Sequence, residues 1–125
     1  MAYNDALLAR ISQATSMLAS PVGGFTPRRR ADTTALFTVS VPPDLDTLAG
    51  HLSFDERSLA DETALMTPGH LQLNFLSRRA LLTSVVFIYP DFLRWPELPF
   101  DARLVNGRGL AAWLVAQGWQ LPEMP

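Results

Sequence analysis

Apolar residues recur every three or four positions in four segments of the chain, a spacing that places them along one face of a helix. Asn4 stands where it can cap the first helix, and Ser53 with Glu56 matches a capping box at the start of the third. Gly118 follows the last periodic residue, as expected at a helix C-terminus. The pattern therefore predicts four helices, at residues 4–18, 44–52, 53–66 and 109–117.

Alternation of apolar and polar residues over 36–41 and 71–75 predicts two strands, each with one buried face. Residues 81–89 are largely apolar at both odd and even positions, as expected for a central strand covered on both faces. Residues 102–105 complete a set of four strands. Residues 77–80 are short enough for a hairpin loop, although the start of a short helix is the alternative.

These elements predict a single domain over residues 1–125, of the α+β or α/β class, with a mixed sheet of about four strands packed with helices. The last strand, turn and helix form a unit that suggests that part of the sheet is parallel. Residues 21–33 are rich in glycine, proline and arginine, and we expect them to form an exposed loop.

The chain contains no cysteine, and all ten of its basic residues are arginine. A lysine Schiff base, a lysine-dependent phosphate loop, a thiol nucleophile and a thiolate metal site are therefore excluded. The lack of lysine is typical of a GC-rich bacterial genome; selection against lysine modification is the alternative. We expect no cofactor and no metal, since His51 and His70 lie on different predicted elements without metal-ligand spacing.

Three consecutive arginines in the exposed loop, Arg28, Arg29 and Arg30, are candidates for anion binding, because adjacent guanidinium groups bind phosphate well. Only one aromatic residue, Phe25, lies near them, and the acidic isoelectric point disfavours a dedicated nucleic-acid surface. A solvated loop without a ligand is the structural alternative.

The middle of the chain is acidic, and Asp55, Asp61 and Glu62 are candidate contacts for a basic partner protein. Asp55 and Glu62 are also spaced to share a helical face, so a general acid–base pair is a second interpretation. A solvated helix whose early acids favour the helix dipole is the third.

Three aromatic residues, Phe92, Trp95 and Phe100, lie among three prolines between two predicted strands. A loop this apolar must be buried against its own core or against another chain. Because aromatic side chains dominate the binding energy of protein interfaces, these residues complete the candidate protein-binding set.

Residues 82–119 contain an apolar strand, a connector, a short strand and a helix of the Gly-x-x-Leu-x-x-x-Leu type. This order resembles the C-terminal part of the nuclease-related domains with a restriction-endonuclease-like core, over less than a third of the chain and without a diagnostic residue. That family's catalytic motif needs an acid followed by Glu-x-Lys, and this chain has no lysine. The resemblance therefore implies a degenerate relative that does not cleave nucleic acid.

We expect a small, non-catalytic bacterial module that binds another protein, such as an inhibitor, immunity protein, adaptor or secretion chaperone. The alternatives are a protein that binds nucleic acid or phosphate through the arginine loop, the degenerate nuclease-like domain, and a small enzyme whose acids converge only in the fold. A homodimer is compatible with each. The longest apolar stretch falls well short of the roughly 20 residues that span a membrane, and no signal-peptide pattern is present, so we expect a cytoplasmic protein.

Overall fold

The computed structural model describes residues 3–23 and 35–122. Within these ranges no helix is both long and apolar enough to cross a membrane. The helices are α1 (Tyr3–Ile11), α2 (Pro42–His51) and α3 (Gly107–Ala116), with a 3₁₀ helix at Glu56–Asp61. The strands are β1 (Ser16–Ser20), β2 (Phe37–Val39), β3 (Phe54–Asp55), β4 (Leu71–Ser77), β5 (Ala80–Ile88), β6 (Phe92–Arg94) and β7 (Ala102–Leu104).

The strands form one seven-stranded sheet in the order β2-β1-β4-β5-β6-β7-β3, and every neighbouring pair is antiparallel. The fold is therefore α+β, and the prediction of a mixed sheet of about four strands is wrong. The four predicted strands correspond to β2, β4, β5 and β7. β3 and β6 were missed because they are short and lie inside segments with another prediction, β3 at the start of a predicted helix and β6 in the loop rich in aromatic residues and proline. The predicted parallel unit is also wrong, since no described strand follows α3.

The third missed strand, β1, had been assigned to the first predicted helix. α1 ends at Ile11, and the chain then turns into β1. Leu18 continues the apolar spacing of the helix, so periodicity alone does not separate the two elements. β1 pairs on both sides, with Met17 opposite Val39 in β2 and Phe75 in β4. Pairing with distant strands therefore overrides the local helical pattern.

The predicted helix over residues 53–66 is replaced by β3, the 3₁₀ helix and a loop. Glu56 does not complete a local capping box. Its carboxylate accepts a hydrogen bond from the backbone N–H of Tyr3 at 2.6 Å, at the start of α1 and 53 residues away. The carboxylate of Asp55 caps the 3₁₀ helix instead, by accepting from the N–H of Arg57 at 3.0 Å.

Asn4 lies inside α1, and its side chain binds the backbone of β3. The side-chain Nδ2 donates to the carbonyl of Phe54 at 2.7 Å, and the Oδ1 accepts from the N–H of Phe54 at 3.1 Å. β3 is an edge strand, and an edge strand with free backbone groups invites pairing with other chains. The amide of Asn4 therefore protects this edge and fixes α1 against the sheet.

The two faces of the sheet differ in what covers them. On one side, the inner face, all three α-helices contribute buried side chains to a single core with the strands. Members of this core include Leu7, Ile11, Leu45, Leu48, Leu73, Phe75, Val85, Phe87, Leu93, Leu110 and Leu114. The outer face carries polar and charged side chains such as Asn74 and Arg94, together with the buried apolar side chain of Ile88, and a loop crosses it near β5 and β6.

Candidate functional site

Three of the predicted contact residues flank the segment that follows the 3₁₀ helix. Asp61 ends that helix and Glu62 follows it in the left-handed conformation, with φ of 52°; both residues are exposed. Phe100, which is half-buried, directly precedes Asp101. The backbone N–H of Asp101 donates to the carbonyl of Thr63 at 2.8 Å. The fold therefore brings these predicted residues, which come from two distant parts of the chain, to one loop.

An ion pair holds this loop, residues 63–68, which we call the clamped loop. Arg94 on β6 and Asp101 beside β7 form two parallel hydrogen bonds, Nε to Oδ1 at 2.9 Å and Nη2 to Oδ2 at 3.0 Å. The guanidinium also donates from Nη1 to the carbonyl of Thr67 at 2.7 Å and from Nη2 to the carbonyl of Leu65 at 2.9 Å. Asp101 Oδ2 in turn accepts from the N–H of Leu65 at 2.9 Å.

The ion pair is largely shielded from water. Asp101 is 5% exposed, whereas one third of the Arg94 side chain remains accessible. The hydrogen bonds that the Arg94 guanidinium donates to Asp101 raise its pKa against the opposing effect of burial, so this group stays charged at physiological pH. Paired guanidinium–carboxylate bonds are also roughly twice as strong as neutral ones. Arg94 and Asp101 therefore fix the backbone of the clamped loop.

Met66 stands between the two clamped residues, and its side chain is completely exposed, at 101% of the reference area. Its neighbours Leu65 and Thr67 both bond to the ion pair through main-chain atoms. Gly69, with φ of 97°, ends the loop against β5, where a Cβ would collide with the side chain of Val86. The structure thus presents one apolar side chain to solvent on a backbone that is held on both sides.

Two more predicted residues lie on the outer face at the β6–β7–β3 end of the sheet. Asp55 on β3 and Phe92 on β6 are both cross-strand neighbours of Arg103 on β7. The guanidinium carbon of Arg103 lies 4.8 Å from the centre of the Phe92 ring, and its Nη1 is 2.7 Å from Asp91 Oδ2. The carboxylates, the Arg103 guanidinium and the Phe92 ring therefore form a surface that combines charged and aromatic groups, next to the clamped loop.

Trp95 does not lie on this surface. The residue is 2% exposed, and its Nε1 donates to the hydroxyl of Thr83 at 2.8 Å. Of the two burial environments that the sequence left open for the aromatic segment, Trp95 takes the core. It is therefore a core residue and not a contact residue.

Met66, Arg94 and Asp101 are not among the contact residues that the sequence predicts. The two charged residues lie seven positions apart, and no helical or strand spacing pairs them. The interpretation of this segment rests on its prolines and aromatic residues. Arg94 and Asp101 meet because β6 and β7 are adjacent antiparallel strands. An arginine and an aspartate at opposite ends of a short connector between strands is the sequence feature that could have suggested the pair.

The predicted anion-binding residues Arg28, Arg29 and Arg30 lie outside the described residues. Two other arginines, Arg78 and Arg79, form the tip of the predicted β4–β5 hairpin, and both adopt positive φ, 49° and 77°. Positive φ at both central positions is the geometry of the tight turns that match the twist of paired strands, which usually contain asparagine and glycine. The hairpin itself is therefore confirmed.

The described ranges contain no group of three or more acidic or histidine side chains placed to hold a metal ion. His70 has a structural partner, because its Nδ1 accepts a hydrogen bond from the N–H of Tyr89 at 2.9 Å. His51 packs beside the ring of Trp113, with ring centres 6.5 Å apart. Asn106 accepts from the N–H of Gly109 at 2.9 Å, which caps α3 at the predicted strand-to-helix turn.

Comparisons of the chain with family models, with curated proteins and with solved structures find no match.

Proposed function

We propose that this protein is a non-catalytic module that binds another protein, in the manner of an inhibitor or immunity protein, and that the clamped loop is its main contact. The main support is the position of Met66: both of its neighbours bond to one shielded ion pair, while Met66 itself is fully exposed. Met66 would enter an apolar pocket of the partner.

The clamp supports binding because it reduces the entropy that the loop loses on association. Each flexible side chain or loop segment that must be ordered at an interface costs free energy, and a segment already held in its bound conformation avoids that cost. An exposed methionine suits an imperfectly shaped pocket, since its unbranched thioether side chain adapts to irregular apolar surfaces. An isolated apolar residue on a surface is ordinary; the clamp on both sides distinguishes Met66.

Charge around the loop indicates the chemistry of the partner. Asp61 and Glu62 precede the clamped loop and are exposed, and neither takes part in an ion pair among the described residues. A partner with basic residues around its apolar pocket would therefore associate faster and more selectively than a neutral one. Asp55, Phe92 and Phe100 would lie at the margin of the contact, which typically buries about 800 Å² on each partner.

The composition supports a bacterial source, and the absence of cysteine is compatible with the cytoplasm, which we propose as the site of action.

The proposal is tested by affinity capture from a lysate of the source organism, with the wild-type protein and two variants. Met66→Glu replaces the apolar anchor, and Leu8→Glu makes the same change at a residue of α1 that is 52% exposed and far along the chain from the loop. We expect one protein to bind the wild type and the Leu8 variant stoichiometrically. Met66→Glu should weaken its binding roughly 30-fold, as for an anchor worth about 2 kcal/mol.

Equal retention of the partner by both variants would contradict the assignment of Met66. Capture of nucleic acid that is released steeply as salt rises would favour the arginine residues instead, because phosphate contacts release counterions. Substitution of Arg78 and Arg79 by Asn and Gly then distinguishes the hairpin from the Arg28–Arg30 segment.

A further inference from the structure

A groove of about 650 Å³ lies between α3 and the residues that follow β5, and no residue of the clamped loop lines it. Its size is within the range of pockets that hold small molecules, about 300–1,000 Å³. The residues that line it are Tyr89, Pro90, Arg108, Ala111, Ala112, Val115 and Leu121. Six of these seven side chains are apolar or aromatic, and the only charged one is Arg108.

Close packing at the start of α3 forms one end of the groove. Gly107 begins the helix directly against the main chain of Pro90 and Asp91, where a Cβ would collide with the carbonyl oxygen of Pro90. The first turn of α3, with Arg108, is therefore held beside Tyr89 and Pro90. The small side chains that follow on this side of the helix leave the space open.

The chain after α3 forms the opposite wall. Gly118, with φ of 118°, reverses the chain, and the N–H of Trp119 donates to the carbonyl of Leu114 at 3.0 Å. The ring of Trp119 then packs against Phe87 and Tyr89, with ring centres 5.7 and 6.2 Å apart. This anchor places the segment that carries Leu121 along the groove.

The groove has a charged group at one end and apolar side chains along the rest of its length. Arg108 lies in the first turn of α3 and Val115 two turns later, roughly 10 Å along the helix axis. Within the described residues Arg108 takes part in no ion pair or side-chain hydrogen bond, and it is exposed. The side chain of Val115 is 44% exposed and that of Leu121 49%, although both are apolar.

The geometry points to a binding site for a medium-chain carboxylate, with the carboxylate on the guanidinium of Arg108 and the alkyl chain along Ala112, Val115 and Leu121. A planar guanidinium binds a carboxylate through two parallel hydrogen bonds. Burial of the alkyl chain removes apolar surface of both molecules from water. The site is separate from the clamped loop, and its occupation does not depend on the proposed partner protein.

Isothermal titration of the full chain with sodium decanoate, below its micelle concentration, tests this assignment. We expect one decanoate per chain. The cation decyltrimethylammonium, with the same alkyl chain, should bind at least 10-fold more weakly, and so should decanoate to Arg108→Gln. Arg108 is exposed, so this substitution leaves the fold intact.

A pair of matched alanine variants locates the alkyl chain. Ala112→Leu adds a side chain inside the groove, whereas Ala9→Leu adds the same side chain at an exposed position of α1 that does not line it. Decanoate binding should fall at least 10-fold in the first and stay unchanged in the second. Equal binding of decanoate and decyltrimethylammonium, or no saturable binding, would overturn the proposal, as would equal losses in the two alanine variants.

Discussion

The inner and outer faces of the sheet are stabilised by different kinds of interaction. On the inner face, side chains such as Leu73, Phe75 and Phe87 are fully buried under the helices. On the outer face, polar groups depend on particular partners, above all Arg94 with Asp101, beside the buried apolar side chain of Ile88. Apolar burial has no direction and is shared among many contacts, whereas a hydrogen-bonded pair depends on both partners. The outer face is therefore where a single substitution can change a surface without changing the fold.

A second polar cluster on the outer face has the same character. Asn74 is fully buried, and its Oδ1 accepts from Gln72 Nε2 at 2.7 Å and from the hydroxyl of Ser84 at 2.8 Å. Its Nδ2 donates to the carbonyl of Leu18 at 2.9 Å and to the hydroxyl of Ser20 at 3.1 Å. Four groups on three strands thus depend on one amide.

The largest effect should come from the inner face. Leu48 on α2 is 0% exposed, and Leu48→Ala should lower the free energy of unfolding by about 3–4 kcal/mol through lost burial and the cavity left behind. Urea denaturation followed by circular dichroism measures it. Leu8→Ala, at an exposed position of α1, is the control and should change stability by less than ~0.5 kcal/mol. A similar loss in both variants would remove the contrast between buried and exposed helix positions.

The second-largest loss of stability should come from breaking the ion pair of Arg94 and Asp101. Asp101→Ala leaves the Arg94 guanidinium without its carboxylate and the N–H of Leu65 without its acceptor. Breaking a fully buried ion pair costs about 3–5 kcal/mol; because one third of the Arg94 side chain is exposed, we expect about 2–3 kcal/mol. Hydrogen exchange read by NMR should also show faster exchange of the Leu65 amide, while the amides of β4 remain protected under native conditions. An unchanged rate at Leu65 would show that the ion pair does not hold the loop.

The third-largest loss of stability should come from the polar cluster around Asn74. Asn74→Ala leaves the amide of Gln72 and the hydroxyl of Ser84 without their acceptor on the outer face, so the free energy of unfolding should fall by about 1–2 kcal/mol. The comparison variant Ser84→Ala removes one donor and leaves Asn74 its three other partners, and should cost less. Thermal unfolding by calorimetry resolves the difference. If Ser84→Ala costs as much as Asn74→Ala, the amide is not the centre of the cluster.

The smallest stability effect separates binding from folding. Met66→Ala removes a side chain that has no burial to lose, so the free energy of unfolding should change by less than ~0.5 kcal/mol. Affinity for the partner should nevertheless fall. Denaturation and binding measured on the same preparation decide this. A stability loss comparable to that of Asp101→Ala would mean that Met66 is packed rather than exposed.

The clearest alternation and the local turns were the parts of the fold that the sequence predicted well. Leu71, Leu73 and Phe75 alternate with polar residues because one side of β4 meets the core, and that periodicity is local in the chain. The hairpin at residues 77–80 and the turn at Asn106 are local in the same sense. Each of these features depends on residues within a few positions of one another.

The long-range polar contacts could not be predicted in this way, because they join distant segments. Glu56 caps a helix 53 residues away, and the Arg94–Asp101 pair reaches a loop about thirty positions earlier. Asp61 and Glu62 were identified from charge alone, which located the neighbourhood of the clamped loop. Met66 carries no sequence pattern at all; only its exposure in the folded chain distinguishes it from a core residue.

Site-specific photocrosslinking tests the central claim most directly. A benzophenone amino acid is placed at Met66 in one sample and at Leu8 in another, and both are irradiated in cells of the source organism. We expect one protein to become covalently attached from position 66 and not from position 8, and this adduct to be lost when Arg94→Gln is added to the same chain. An adduct that forms equally from both positions, or that survives loss of the clamp, would contradict the account.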